Sequence, residues 1–223
     1  LWYAFNQKDF LDATIGNPDY YKTCNSVFVC GTALASDKGM DGLLTSNVTK
    51  AQALLKEAGY DGTPIVLMHS TDLAVLTNLA PVAKSLMEKA GFKVDMQSMD
   101  WQTVVARRTK KVPANAGGWH AFLTAWVSAD ITNPVMAAYF NSAGDKAPFG
   151  WPNDETMEKL RDQYAREVDP AKQKAIAEAV QVRLTEQTSH IHLGQYYQPI
   201  AANKKISGIL TAPVPVFWNI DMK

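Results

Sequence analysis

Residues 64–96 constrain the fold most, because they carry a complete β-α-β pattern. Pro64 to His69 (PIVLMH) is a short, nearly continuous apolar run, as expected of a buried strand. Helical spacing follows from about Leu73 to Ala90, with Leu76, Leu79, Ala83, Leu86, Met87 and Ala90 on one face. Gly91 ends that helix, and Phe92-Lys93-Val94-Asp95-Met96 alternates as a second strand. Two strands joined through one helix run parallel, with a right-handed crossover. Pro81 falls inside the helical pattern, where it lacks an N–H donor and crowds the preceding turn, so it predicts a kink or a late start.

The flanking segments read as more helices around the same sheet. Ser46-Asn47 opens a helix with Ala51, Leu54, Leu55 and Ala58 on one face and Gly59 as its stop. Asn47-Val48-Thr49 also matches a glycosylation sequon, but a cap explains Asn47 more simply. Asp100 caps a helix to about Lys110, and Val112 to Gly118 is a loop. Asn153 is placed to cap a helix to about Val168, and Asp169-Pro170 opens another to about Thr188. The apolar face of the latter is Ile176, Ala179, Val180 and Leu184. His190 to Ala202 is extended and apolar. The tail from Ala212 to Met222 alternates Val216, Trp218 and Ile220, as an edge strand or a segment packed on something else would.

At the other end, Leu1, Phe5, Leu11 and Ile15 space a helix that stops at Gly16, with no capping residue before it. A helix without a start predicts a fragment or processed product. Asn17 to Gly42 is a long loop rich in Gly, Asp, Asn, Ser and Thr, which needs a staple or a job. Cys24 and Cys30 supply the staple if they form a disulfide, adding roughly 2 kcal/mol and implying an oxidising compartment. Two inert buried thiols are the alternative.

Gly117 to Asn141 (GGWHAFLTAWVSADITNPVMAAYFN) reads as a strand from His120 to Val127, a turn from Ser128 to Asn133, and a short helix after Pro134. Asp130 lies in the turn behind Trp119 and Trp126. A carboxylate at the mouth of a strand end is how α/β folds build a ligand crevice, whereas the plainer reading makes both tryptophans core and Asp130 a turn cap.

Hydrophobic residues make up 47% of the chain and charged ones 20%, with 22 basic against 22 acidic residues, which is ordinary globular composition. The balance disfavours a nucleic-acid partner, which would leave a basic stripe. No apolar run reaches the roughly 20 residues of a membrane span. Nucleotide-loop, nucleophile-elbow and zinc-protease signatures do not occur in the sequence. His190 and His192 would share a strand face as a metal pair, but nothing nearby completes a site, so no metal or other cofactor is expected.

The order KAQALLKEAGY, strand, helix, AGFKVDMQSMDW, GWHAFLTAW with an acid just after, and the DPAKQKAI helix resembles one family across nearly the whole chain. It is similar to the C-terminal lobe of the dipeptide/oligopeptide-binding (family 5) extracytoplasmic solute-binding proteins, which feed ABC importers. YAFNQKDFLDATIG matches the family near its crossover from the first lobe, and the tail matches its C-terminal segment. The resemblance implies an α/β, periplasmic-binding-protein-like lobe with a mixed, mostly parallel sheet flanked by helices. Residues 1–223 would be the single C-terminal lobe of a two-lobed protein, with 212–223 returning toward the N-terminal lobe. It further implies a protein in the periplasm, or secreted or anchored outside the membrane, that hands a peptide-like or other small solute to the permease subunits and catalyses nothing.

In peptide-binding members an Asp in a W-x-x-D turn pairs with the ligand ammonium. Trp126 matches that Trp, and Asp130 matches the Asp with one extra residue between them. The family's following Asp-Pro is Asn133-Pro134 here, and the Arg that dipeptide binders carry is absent from Met68-His69-Ser70-Thr71. A longer peptide, or another amine-bearing or neutral solute, is therefore expected in place of a free dipeptide. Asp130, Trp126, Trp119, Asn133, His69 and Ser70 are the expected ligand contacts. The alternative function is a stand-alone α/β hydrolase or transferase acting on a small amine-bearing substrate.

Overall fold

A computed structural model describes residues 1–212 and 214–222; the sequence expectations for Pro213 and Lys223 lie outside them. In chain order, α1 (Gln7–Thr14) leads to β1 (Tyr21–Lys22) and α2 (Val48–Glu57) to β2 (Ile65–Ser70). Next come α3 (Ala74–Thr77), α4 (Leu79–Lys89), β3 (Val94–Met99), α5 (Trp101–Arg107) and β4 (Ala121–Phe122). The chain ends with α6 (Glu155–Arg166), α7 (Pro170–Gln187), β5 (Gln195–Tyr196), β6 (Ile206–Ser207) and β7 (Asp221–Met222).

The central sheet has the order β3-β2-β4, all parallel, with Ile65 opposite Val94 and Leu67 opposite Ala121. Alternation puts Ile65, Leu67, Val94, Met96, Ala121 and Leu123 on one face, where α4 and residues of α1 and α2 pack in a single cluster. Val66, Met68, Gln97 and Phe122 fall on the opposite face, on the side of α5. The expected β-α-β unit is therefore present, but its helix is two pieces. Pro81 sits third in α4, among the N–H groups that no helix turn satisfies anyway, and the break falls at Asn78. The late start is the outcome, not the kink.

Other boundaries move for local reasons. α1 is capped after all, from inside: Asn6 accepts the Lys8 N–H at 3.0 Å, and Leu1 to Phe5 form turns whose Trp2, Ala4 and Phe5 are buried. α6 is capped by Asp154, not Asn153, which pairs with Ala143 instead. Arg183 of α7 donates to the same Asp154 carboxylate at 2.7 Å, and this pairing holds its pKa below the usual carboxylate range. Asp169 and Asn47 cap α7 and α2 as expected. The buried stripe of α7 is Ala177, Val180, Gln181 and Leu184, one step round from the expected face.

Val27, Phe28, Ala137, Tyr139, Phe140, Met157, Ala177, Val180 and Leu184 form a second apolar cluster. The long loop beneath it carries the expected Cys24–Cys30 disulfide, with Cα atoms 5.8 Å apart. Three glutamines complete the fastening. Gln7 donates to the Cys24 carbonyl at 2.9 Å and accepts the Cys24 N–H at 2.6 Å. Gln195 accepts the Cys30 N–H at 2.9 Å. Gln181, fully buried, accepts from Val27 N–H at 3.0 Å and donates to the carbonyls of Ser36 and Lys38 at 2.9 and 2.7 Å. A loop with so little regular structure must satisfy its buried backbone groups through side chains, and these amides do it.

The extended run after α7 pairs only at β5, which runs antiparallel to β1. In the tail, β7 pairs antiparallel with β6. Phe217 and Trp218 stand 74% and 83% exposed, so within this chain the tail packs on little.

Candidate functional site

The loops leaving the carboxyl ends of parallel strands diverge and leave a hollow, and here those ends are Ser70, Met99 and Phe122. At the end of β2, His69 and Ser70 are 8% and 5% exposed. Pro81 has no N–H to give the carbonyl of Thr77, four residues back, and His69 Nε2 donates to that oxygen at 2.8 Å. With the proton on Nε2, Nδ1 accepts from Ser98 Oγ at 2.9 Å. Ser70 Oγ donates at 3.2 Å to Asp72, whose same oxygen takes the Trp101 N–H at 2.7 Å. The expected ligand contacts His69 and Ser70 thus have their polar groups committed to fastening the β2 end to α3 and α5.

The β4 stretch is shorter than its sequence pattern. Ala121 and Phe122 pair with β2, and His120 extends the contact at their amino end, its N–H donating to the Val66 carbonyl at 3.0 Å and its Nδ1 accepting the Val66 N–H at 2.9 Å. Gly118 lets the chain enter; a Cβ there would overlap the Val112 carbonyl oxygen. From Leu123 to Val127 the chain runs free of the ladder, then turns through a 3-10 helix, Ser128–Ile131. The helix expected after Pro134 is a turn followed by a second 3-10 segment, Ala138–Phe140.

This departure from the sheet exposes the two residues expected to matter most. Trp126 is 42% exposed, with its ring 5.9 Å from that of Tyr139. Asp130 is exposed, and its carboxylate has no hydrogen-bond or ion-pair partner among the described residues. Asn133 Oδ1 accepts from the N–H groups of Val135 and Met136, both at 3.0 Å, and so shapes the turn.

Behind Trp126, the buried Tyr139 hydroxyl donates to the Val27 carbonyl at 3.1 Å and lies 3.2 Å from His192 Nε2. The Tyr139 ring packs 5.0 Å from His190 and 5.7 Å from His192. Burial holds both imidazoles down to about 4, His190 adding to the effect on His192. The two histidines are thus partners of one tyrosine, and their rings are spent on packing.

Trp119 belongs to a separate aromatic group. Its Nε1 donates to the Arg108 carbonyl at 3.2 Å, and its ring meets Phe122 edge-on at 5.1 Å. Phe122 in turn meets Phe149 at 6.3 Å, and the Arg108 guanidinium lies 4.1 Å from the Phe149 ring. Trp101, Arg108, Tyr139 and Phe149 were not singled out in the sequence. The seven-residue spacing of Trp101 and Arg108, two helical turns, was the available signal; nothing local announces Phe149 or Tyr139. A further hollow of about 790 Å³ lies near the amino ends of the strands, lined by Pro64, Asp95, Arg107, Lys110 and His120 among others, and by none of the six expected contacts.

Comparison with known proteins agrees with this architecture. Residues 1–148 match the model of the bacterial extracellular solute-binding proteins, family 5 (middle region). A Sinorhizobium fredii protein described as a probable peptide ABC transporter periplasmic-binding protein is 30% identical over 222 residues, which is 99% of this chain and 42% of that protein. The chain thus spans less than half the length of that relative. The agropinic acid complex of AgaA from A. tumefaciens R10 superposes with a TM-score of 0.75 at 21% identity, covering 99% of this chain and 46% of that one. The oligopeptide-binding protein AppA of Bacillus subtilis, in complex with a nonapeptide, gives 0.71 at 16% identity over 95% of this chain and 43% of that one. At these identities the structures speak for the fold, and the periplasmic-binding-protein-like α/β class is the one expected. The family model covers well over half of the sequence, and the chain belongs to the family 5 bacterial extracellular solute-binding proteins.

Proposed function

We propose that this chain is the second lobe of the substrate-binding component of an ABC importer, working in the periplasm or otherwise outside the membrane. It captures a peptide-like or other amine-bearing solute against a first lobe and delivers it to the permease subunits. The observation that carries this reading is the exposed pair Trp126 and Asp130 on the irregular segment beyond β4, with a carboxylate that has no partner of its own among the described residues. A ligand ammonium would complete the carboxylate, and closure over it would strengthen the pair by excluding water. Trp126 offers an apolar wall, Asn133 shapes the turn that follows Asp130, and His69 and Ser70 fasten the β2 end. Residues 212–223, with Phe217 and Trp218 exposed, are the segment that returns to the first lobe. Family membership sets aside a hydrolase or transferase.

The test is calorimetry on the full-length protein and on this chain alone. Half an enclosure buries too little of a solute for tight binding, so the full-length protein should bind and the isolated chain should not. Asp130→Asn in the full-length protein should weaken an amine-bearing solute by roughly 10- to 100-fold, the range of a charge-assisted hydrogen bond. Sub-micromolar binding by the isolated chain would overturn the two-lobe account, and unchanged affinity would remove Asp130 from the site.

A further inference from the structure

Trp126 stands on a stretch that no strand partner steadies, yet a crevice wall binds best when it is in place before the solute arrives. From Leu123 to Val127 the chain is free of the ladder, and the Trp126 ring is 42% exposed. Among the described residues that ring meets one other, Tyr139, at 5.9 Å and a tilt of 58°. The orientation of Trp126 thus depends on how firmly Tyr139 is held.

Tyr139 is held by segments far apart in the chain. Its hydroxyl donates to the carbonyl of Val27, 112 positions away, at 3.1 Å. With its one proton given to Val27, the hydroxyl oxygen accepts from His192 Nε2 at 3.2 Å, 53 positions on. Its ring lies 4.6 Å from Phe140, 5.0 Å from His190 and 5.7 Å from His192. Gln7 closes the circuit behind it, donating to the Cys24 carbonyl at 2.9 Å and to the His192 carbonyl at 3.1 Å. Val27 lies between Cys24 and Cys30, so the carbonyl that holds Tyr139 belongs to the loop closed by the disulfide.

Filling the second apolar cluster does not call for this hydroxyl. Phe28 and Phe140 fill the same cluster with plain rings, 5.3 Å apart. A buried hydroxyl is unfavourable unless it is hydrogen-bonded, and what it adds over a phenyl ring is direction. Tyr139 is 4% exposed, and burial pushes its pKa up, so it remains a donor. A ring pinned at its far end by two bonds is restrained from sliding or tilting, and it presents one face to the Trp126 indole.

We infer that Tyr139 is a positioning residue of the solute site: pinned by Val27 and His192, it orients Trp126 in advance, so the Cys24–Cys30 loop acts on solute affinity through Tyr139. The inference rests on the solute-binding function proposed above and names what prepares its site. A solute then does not have to immobilise the indole as it binds, an ordering step that weakens binding by roughly 2- to 10-fold for one side chain.

The test has one readout that needs no solute and one that does. In full-length protein labelled with 5-fluorotryptophan, single Trp→Phe variants assign the resonances of Trp126, Trp101 and Trp119. Tyr139→Phe, which keeps the ring, and Cys24→Ser/Cys30→Ser, which frees the loop, should each shift or broaden the Trp126 resonance. Those of Trp101 and Trp119, which pack in the separate aromatic group, should stay in place. Affinity is measured by calorimetry for tri- and tetra-alanine and for whatever solute native mass spectrometry finds on protein purified from its host. Both variants should weaken binding roughly 2- to 10-fold, and should add nothing further in a Trp126→Ala background, because both act through that ring. A purely structural role would lower the melting temperature of Tyr139→Phe and leave the Trp126 resonance and the affinity as they were. That result, or losses that add in full to the loss from Trp126→Ala, would overturn the inference while leaving solute binding intact. If Trp126→Ala itself leaves affinity unchanged, or if no peptide binds and no solute co-purifies, the inference falls together with the site on which it rests.

Discussion

Gln181→Met should cost the fold about 3–5 kcal/mol, although it removes no apolar contact and creates little cavity. The glutamine is fully buried in α7 and serves three backbone groups of the disulfide loop: the Val27 N–H and the carbonyls of Ser36 and Lys38. Met fills nearly the same volume, so the transfer and cavity terms that dominate most core substitutions are small. What remains is polar. Val27 is fully buried, so its orphaned N–H has no route to water and should cost about 1–3 kcal/mol. The two carbonyls lie nearer the surface and can recover some hydration, leaving about 1 kcal/mol each. Against a total stability of about 5–15 kcal/mol this is a large fraction. Urea unfolding of wild type and variant should show a lower midpoint with an unchanged slope, because the surface exposed on unfolding is the same. A loss under about 1 kcal/mol at equal slope would refute the idea that the loop is held by side-chain amides.

Breaking the Cys24–Cys30 disulfide by Cys24→Ser/Cys30→Ser should lower stability by roughly 2 kcal/mol in the same assay, and peptide mapping without reductant should recover the two cysteines as one cross-linked species. Gly118→Ala should destabilise by about 3 kcal/mol or abolish soluble expression, because its methyl meets backbone and cannot be accommodated by a side chain moving; a stable variant with an unchanged melting temperature would contradict that packing. Burial lowers the folded-state pKa values of His190 and His192 from the usual 6.5 to about 4, so between those limits the unfolded chain binds more protons. Stability should therefore rise with pH across that window, and fall as acid is added. NMR of the imidazole nitrogens should show both rings neutral at pH 5.5; titration near pH 6.5 would show that the pair is not desolvated.

Much of the scaffold was legible because its signals are local. The apolar run of β2, the helical spacing before Gly91, and the caps Asn47, Asp100 and Asp169 each depend on neighbours within a few residues. Those elements stand where the pattern puts them. The misses have the opposite character. Asn153 yielded the α6 cap to Asp154, which has Arg183 to hold it, 29 positions away. The strand from His120 to Val127 kept two paired residues, because pairing needs β2 alongside and the chain leaves it from Leu123 onward.

The candidate site divides along the same line. Trp126 and Asp130 could be marked from the sequence because an acid behind aromatics at a strand end is a pattern within one segment. That His69 is spent on Thr77 follows from Pro81, but only when the fold lays β2 beside the break between α3 and α4. Trp101 and Arg108 share a helix face by spacing alone. That Phe149 and Phe122 close around the Arg108 guanidinium only the tertiary structure decides. By itself the sequence determined where backbone hydrogen bonds could be made locally, and so which elements exist. The tertiary structure decided which polar groups were left over once those elements packed, because a partner can be claimed only by a group that packing brings within reach.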